Sequence, residues 1–534
     1  MNRISPLLTD SYQLSMCYSY WKANTHNNIA TFELFFRKCP FGGEYVVVGG
    51  VGEAIEFIKN YSFTKEEIIE LKAHYYNWDV EFFTYLENIN MAVCRLNVKA
   101  ILDGSVVFPN TPIIQITGPI VLCQLLETTL LNITGHPTLI ATYSKRIKQQ
   151  VGEKAKLIEF GLRRAQGESA GMNASKYSWV GGFDGTSNVK AGLEYSIPVV
   201  GTHAHSYVMS FTGLEFVSNN LELHSLKTKE LIKDFKAHVF NVNKIGLDDI
   251  KTNKSELAAF ITYAWTQPNN FLALIDTFDT LSSGLENYCM VANTLIDLGY
   301  KPKGVRIDSG DLAYLSIKIK EKFNQMKIIY PEYIDMVVVA SNDLDEQIVK
   351  SLIDEGAQID MFGIGTKLAT SYKSPALGMV YKLVEINGKP RIKLSENIEK
   401  MTIPCKKYVF RLYGLDNIGL MDLMTPISDI TQYIDEEGNI FCIDPKNQSK
   451  FVKVKYHTHE ELLIDVLVNG KYSHEYMYNG GTNLAKSRCD KQINQIRKDH
   501  LRPLNPTPYK VSTPKVFSET IRDIIFSESI IKII

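Results

Sequence analysis

The chain has 534 residues, 45% of them hydrophobic and 22% charged, with a formal net charge of −1. That length exceeds the usual size of one domain, so two or three domains are expected. The near-zero charge gives no global electrostatic case for nucleic acid, and eight scattered cysteines without a C-x-x-C pair argue against a zinc ribbon or disulfide scaffold.

At the N-terminus, Asp10 interrupts the apolar run that a signal peptide would need. No uninterrupted apolar stretch approaches a membrane span, and free cysteines fit a reducing compartment, so a cytoplasmic enzyme is expected. Residues 1–135 mix helical stretches with strand-like runs at Ala30–Phe36, Glu44–Val48, Ile101–Phe108 and Thr111–Thr117, the pattern of an α+β domain.

Residues 136–385 follow a different grammar. A short β-rich run ends in glycine, hydroxyl or charged residues, and a helix-like stretch follows. The runs are Lys156–Gly161, Ile197–Val200, Phe271–Ile275, Gly304–Ile307, Met336–Ala340 and Asp360–Ile364, with Trp179–Phe183 as a candidate seventh. From Asp276 to Asp308 is 32 residues and from Asp308 to Ser341 is 33, the span of one strand–helix unit. Continuous apolar runs indicate strands buried on both faces. Polar residues at so many strand ends predict an irregular TIM-like α/β barrel with its site at the C-terminal rim. A doubly wound open sheet is the alternative, weakened because such a sheet concentrates chemistry at one switch point.

Residues 386–534 hold strand-like pieces at Phe451–Tyr456 and Leu462–Asn469 and a basic helix-like run from Asn483 to His500, read as a solvated face. The apolar Ile524–Ile534 contains Glu528 and Lys532 and reads as a docked helix or strand. This region is expected to pack partly on the N-terminal α+β domain.

The strand-end motifs carry the chemistry. Gly201-Thr202-His203-Ala204-His205 places two imidazoles and a hydroxyl after an apolar run, and histidine can carry a proton, a metal or a phosphoryl group. Glu159–Gly167 contains Arg163 and Arg164, whose guanidinium groups suit phosphate or carboxylate as well as a salt bridge. Gly181–Asn188 is a glycine-rich turn. Arg306 and Asp308 stand two apart on a strand and so share a face. Asp276 and Asp279 offer further carboxylates, and Gly363-Ile364-Gly365-Thr366 suits a phosphate cradle. Lys367 is the single lysine placed for Schiff-base chemistry of an aldolase or isomerase.

Taken in order, these motifs resemble the nicotinate phosphoribosyltransferases. The likeness includes Leu7–Gln13, Glu159–Gly167, Gly182–Asn188, Gly201–Ser206, Ile275–Thr280, Gly304–Asp311, Ala340–Asp343, Gly363–Thr366 and Ala376–Val384. The resemblance implies synthesis of nicotinate mononucleotide and pyrophosphate from nicotinate and phosphoribosyl pyrophosphate. It further implies Mg²⁺, ATP hydrolysis coupled through a phosphohistidine at His205, and a homodimer with shared sites. It places Phe160 and Tyr12 on the two faces of the pyridine, Tyr12 from the other subunit. It places Arg306 at the nicotinate carboxylate, with Thr202 lining that pocket and Arg163 near a phosphate or the carboxylate. Asp308 is implied at the ribose hydroxyls, and Gly365 and Thr366 at the 5′-phosphate. Neither membrane nor nucleic acid is an implied partner, and the metal ligands stay open.

Relatives that use nicotinamide carry aspartate where this chain has Ser187. Serine can donate to a carboxylate that aspartate would repel, which favours nicotinate, although Asp184 lies three residues earlier. Nicotinamide specificity and a non-catalytic phosphoribosyl-binding barrel remain the alternatives.

Overall fold

The apolar runs between residues 156 and 364 form one parallel sheet in the computed structural model, which describes residues 3–246, 249–395 and 400–528. In spatial order its strands are Leu272–Leu274, Gly304–Ile307, Val337–Ser341, Met361–Ile364, Lys156–Glu159 and Gly185–Thr186. Register runs Ala273–Val305–Val338 on one side and Ala340–Phe362–Leu157 on the other. Consecutive residues such as Leu157 and Ile158, or Val338 and Val339, are all buried, so both faces of the sheet are covered. That is why the runs are continuous rather than alternating.

Beyond Gly185–Thr186 the sheet continues as a single parallel bridge from Thr186 to Val199. Residues just after it turn back to the first strand. Thr202 Oγ1 donates to the Leu272 carbonyl, and the Leu274 N–H donates to His203 Nε2 at 3.3 Å. The two ends of the sheet are therefore joined through residues 199–203, on one side by side chains rather than a ladder.

Two expectations are corrected here. Ile197–Val200 is not a buried strand: Val199 is 49% exposed, and Pro198 has no N–H to give a ladder. Trp179 belongs to the helix Glu168–Val180, which ends at Gly181-Gly182, where Gly182 takes a φ of +106° that a side chain would resist.

Three of the helical segments that follow the strands are capped by aspartates. Asp279, Asp311 and Asp345 accept from the N–H groups of Ser282, Tyr314 and both Gln347 and Ile348, satisfying orphan donors of the first turn.

The chain divides into two compact units, one of Arg146–Trp179 and Phe183–Thr370, the other of Met1–Lys145, Val180–Gly182 and Ser371–Ile534. The second unit has a seven-stranded antiparallel sheet in which Ile464–Val468 pairs with Asn97–Ala100, so a late segment completes an early sheet. A six-stranded sheet lies within residues 408–514. Two fully buried ion pairs, Lys407–Glu33 at 2.8 Å and Arg411–Asp422 at 2.8 Å, stand in this unit. The expected strand Ile101–Phe108 is broken at Asp103-Gly104, where Gly104 has φ +84°, leaving only Val106–Val107 as strand. The basic run forms a helix over Thr482–Asn494, shorter than expected, and Arg488 in it donates to the Asp103 carbonyl. The last helix is Lys515–Glu528, and the expectation for residues 529–534 lies outside the described residues. Among the described residues no helix is long and apolar enough to cross a membrane.

Candidate active site

At the C-terminal ends of the parallel strands lies a cleft of about 370 Å³. Phe160, Leu162, Arg163, Ser187, Thr202, His203, His205, Leu274, Arg306 and Asp308 line it. Parallel strands point their last residues to one rim, so residues far apart in sequence converge. A larger cavity of about 550 Å³ lies in the other unit, lined by Glu44, Lys446, Tyr509, Lys510 and others, and none of the candidate site residues read from the sequence lines it.

Phe160 forms one wall. Its N–H bonds the Ile364 carbonyl at 2.8 Å, which continues the ladder one residue past the strand. Its ring lies against Gly363, where a Cβ would stand 2.3 Å from Cδ2, so glycine is required for the ring to occupy this place. The Arg306 guanidinium sits 5.4 Å from the centroid of the same ring. Arg163 follows on the single 3₁₀ turn Leu162–Arg164 and is exposed at the mouth.

Arg306 and Asp308 do share a face. Arg306 Nη2 is 3.3 Å from Asp308 Oδ2. Ser341, which sequence reasoning passed over, ties the two together. Arg306 Nε donates to Ser341 Oγ at 2.9 Å, and Ser341 Oγ donates to Asp308 Oδ1 at 2.7 Å. Its signal was its position, the last residue of Val337–Ser341.

The two histidines, two apart in sequence as residues on one face of a strand would be, do not share a face. His205 opens the helix His205–Met209, while His203 precedes it in irregular chain and turns inward. His203 is 7% exposed among the rings of Tyr207, Phe260 and Tyr263. Burial drives its pKa down to about 4, so it is a neutral imidazole that accepts from Leu274 N–H. The His205 ring is 40% exposed in its side chain and hydrogen-bonds Thr277 Oγ1 through Nδ1 at 3.1 Å. Its Nε2 is 4.0 Å from Asp276 Oδ1 and 3.9 Å from Asp308 Oδ2.

Asp276 is nearly fully buried. Its Oδ2 accepts from the Asp308 N–H at 2.9 Å and from Ser309 Oγ at 2.5 Å, while Oδ1 has no hydrogen-bond partner among the described residues. Asp279, named beside it from the sequence, is a helix cap instead and points to Ser282. Asp184 also lies away from the cleft: it accepts from the Leu157 N–H and is 3.7 Å from Lys148 Nζ. Lys367 is 3.7 Å from buried Asp345 and does not line the cleft. Gly365 and Thr366 open the short helix Thr366–Ala369 beside Phe160 but are not among the lining residues. Tyr12 is in the other unit, half exposed on the helix Ser11–Lys22.

The arrangement combines a flat aromatic wall, two guanidinium groups, two carboxylates and an imidazole between those carboxylates. Such a set suits an anionic heteroaromatic next to a phosphorylated sugar. Among the described residues no group of three or more His, Cys, Asp or Glu side chains is placed to hold a metal by itself.

Family models match nearly the whole chain. They are described as the nicotinate phosphoribosyltransferase N-terminal domain over residues 7–135, the nicotinate phosphoribosyltransferase family over 155–417, and the C-terminal domain over 406–520. Nicotinate phosphoribosyltransferase 1 of Arabidopsis thaliana is 44% identical over 518 residues, covering 95% of this chain and 92% of the relative. The nicotinate phosphoribosyltransferase of Dictyostelium discoideum is 42% identical over 536 residues, covering 98% and 88%. The crystal structure of human nicotinic acid phosphoribosyltransferase superposes with a TM-score of 0.84 at 31% identity, covering 97% of this chain and 99% of that one.

Proposed function

The chain belongs to the nicotinate phosphoribosyltransferase family, and from that premise we propose how its own residues join nicotinate to phosphoribosyl pyrophosphate for NAD salvage. The observation that carries the reading is the convergence of Phe160, Ser187, Arg306, Asp308 and His205 on one cleft.

The pyridine lies against Phe160, since a flat heteroaromatic gains from stacking on a ring. Arg306 stands over the same ring and meets the carboxylate, and Arg163 supplies a second cation at the mouth. Ser187 donates to the carboxylate. The nearby Asp184 is turned away to Leu157 N–H and Lys148, so no carboxylate opposes the substrate's charge there. This supports the acid over the amide.

Asp308 accepts from the ribose hydroxyls. As the bond between ribose C1 and pyrophosphate breaks, its electron pair leaves with pyrophosphate and positive charge builds on the sugar. The pyridine nitrogen lone pair then forms the new bond to C1 from a held geometry. Asp308 and Asp276 stabilise the cationic sugar side, and Arg163 at the mouth the leaving anion. Buried Asp276 Oδ1, which accepts no hydrogen bond among the described residues, and Asp308 fit a divalent cation that keeps waters and shares substrate phosphates, and Mg²⁺ held there would neutralise the leaving pyrophosphate.

ATP coupling belongs to the same proposal, with His205 as the phosphoryl acceptor. The ring is oriented by Thr277 and open to solvent, as an acceptor must be. Gly365 and Thr366 are proposed at the 5′-phosphate and Thr202 in the wall of the nicotinate pocket. We further propose a homodimer in which the half-exposed Tyr12 closes the second face of the pyridine in its partner's site. A reducing, cytoplasmic setting accords with the eight scattered cysteines of the sequence, which form no C-x-x-C pair.

The test is product formation from nicotinate and from nicotinamide in parallel, with and without ATP, in the native chain and in His205→Ala. The native chain should convert nicotinate with strong stimulation by ATP, and the variant should lose that stimulation. Conversion of nicotinamide alone would overturn the substrate, and full ATP stimulation in the variant would overturn the role of His205.

A further inference from the structure

Glu159 is completely buried at the end of its strand, next to the cleft-lining Phe160, yet it does not itself line the cleft. Its carboxylate collects three donors from three elements. Oε1 accepts from the Gly161 N–H, and Oε2 accepts from Ser175 Oγ at 2.9 Å and from Thr186 Oγ1 at 2.6 Å. Its own carbonyl accepts from the Ser187 N–H at 2.9 Å. Thr186 Oγ1 in turn accepts from the Asn188 N–H at 3.0 Å, and Asn188 Nδ2 donates to Ser175 Oγ at 3.0 Å. Two of the three donors stand one residue from a cleft-lining side chain, while Ser175 anchors the carboxylate to the helix Glu168–Val180. Gly161 follows Phe160 and precedes the Arg163 turn, and Thr186 precedes Ser187.

We propose that Glu159 is a positioning residue that sets the distance between the aromatic wall at Phe160 and the hydroxyl of Ser187, and so the width of the slot that receives nicotinate. The inference rests on the substrate reading above. A neutral side chain cannot hold the slot in the same way. Two hydroxyls and a backbone N–H all donate to Glu159, and Thr186 Oγ1 already accepts from Asn188. An amide in place of the carboxylate turns Nε2 toward both hydroxyls; Ser175 can turn its proton to the Gly171 carbonyl at 3.1 Å and accept, but the Thr186 tie must reverse and strands the Thr186 proton, so that tie is weakened. Burial raises the Glu159 pKa, and the three donors pull it back by favouring the ionised form. His205 stands on a different segment and bonds Thr277 instead.

The test uses Glu159→Gln and Thr186→Val, singly and together, in the full chain. The second variant keeps side-chain volume while cutting one tie, and it decides the matter alone if the first does not fold. Each variant should raise KM for nicotinate about fivefold or more, with a matching rise in the Kd measured by calorimetry. The kcat at saturation and the KM for ATP should stay within about twofold. The double variant should bind nicotinate no worse than the weaker single one, because both cut the same connection. A merely structural role would lower the melting temperature and the active fraction while KM for nicotinate stayed unchanged, and that result overturns the inference. A native chain that converts nicotinate while both variants keep its KM overturns Glu159 alone. A native chain that neither binds nor converts nicotinate overturns the substrate reading and this inference with it.

Discussion

Gly363→Ala is a one-methyl probe of the aromatic wall. Gly363 lies in the strand Met361–Ile364 and is not among the residues with positive φ, so alanine suits its backbone. The added Cβ, however, would stand 2.3 Å from Cδ2 and 2.4 Å from Cε2 of Phe160. Carbon atoms settle about 3.5–4.0 Å apart, so the ring must retreat by about 1 Å or more. It cannot retreat alone, because Arg306 lies 5.4 Å from its centroid and is held through Ser341 and Asp308. A misplacement of about 1 Å at a positioning group costs up to about a hundredfold in rate. We therefore expect kcat/KM for nicotinate to fall about 10- to 100-fold, or about 1.4–2.7 kcal/mol of transition-state stabilisation. Overpacking should also cost about 1–3 kcal/mol of stability. Steady-state kinetics with nicotinate varied, beside thermal melts, separate the two effects. Phe160→Leu in the Gly363→Ala background should recover the stability but not the affinity. Native KM for nicotinate in a folded Gly363→Ala protein would refute the placement of the pyridine on Phe160.

Ser187→Asp should set a carboxylate against the nicotinate carboxylate, a repulsion of up to about 4 kcal/mol near a protein surface. Its kcat/KM for nicotinate should drop at least about a hundredfold, while the nicotinamide-to-nicotinate ratio rises; an unchanged ratio in competition assays sinks the specificity argument. Ser341→Ala should lower kcat/KM about 10- to 100-fold, because hydrogen bonds to charged groups are worth about 1.5–3 kcal/mol and both Arg306 and Asp308 lose one. Activity equal to the native chain would show that the arginine and aspartate hold their places unaided. Stability should fall on acidification from pH 6.5 toward 4. His203 is neutral in the folded protein, with a pKa of about 4, whereas the unfolded chain takes up its proton near the ordinary 6.5. That group can contribute about 3 kcal/mol of pH dependence, and His203→Gln should flatten the denaturation midpoint over this window; an identical slope in the variant would contradict it.

The parallel strands were legible because burial on both faces leaves continuous apolar runs, as at Val337–Ser341. Where a run was short or contained proline, as at Ile197–Val200, local composition could not show that a single bridge and two side chains would do the work of a strand. The same limit applied to His203 and His205. Their spacing gives one face in a strand and divergent faces at a helix start, and only the tertiary path decides that the chain begins a helix at His205.

The polar residues at strand ends raise a subtler difficulty. A turn from strand to helix demands an N-cap, and Asp, Asn and Ser serve there as readily as they serve in catalysis. Composition alone therefore cannot separate the two uses, but position within the turn does. Asp276 and Asp308 each stand just past a strand and face the cleft region, whereas Asp279 and Asp311, three residues later in each unit, cap the following helix. The unit of Val337–Ser341 repeats the division: Ser341 ends the strand and bonds Arg306 and Asp308, and Asp345 is the cap. By residue type Asp279 is the stronger candidate for chemistry and Ser341 the weaker. Geometry reverses that order. A strand-end residue is held by the sheet and aimed at the rim, while the residue a turn later is already committed to the helix's own unpaired N–H groups. In this chain a serine at the first position therefore outweighs an aspartate at the second.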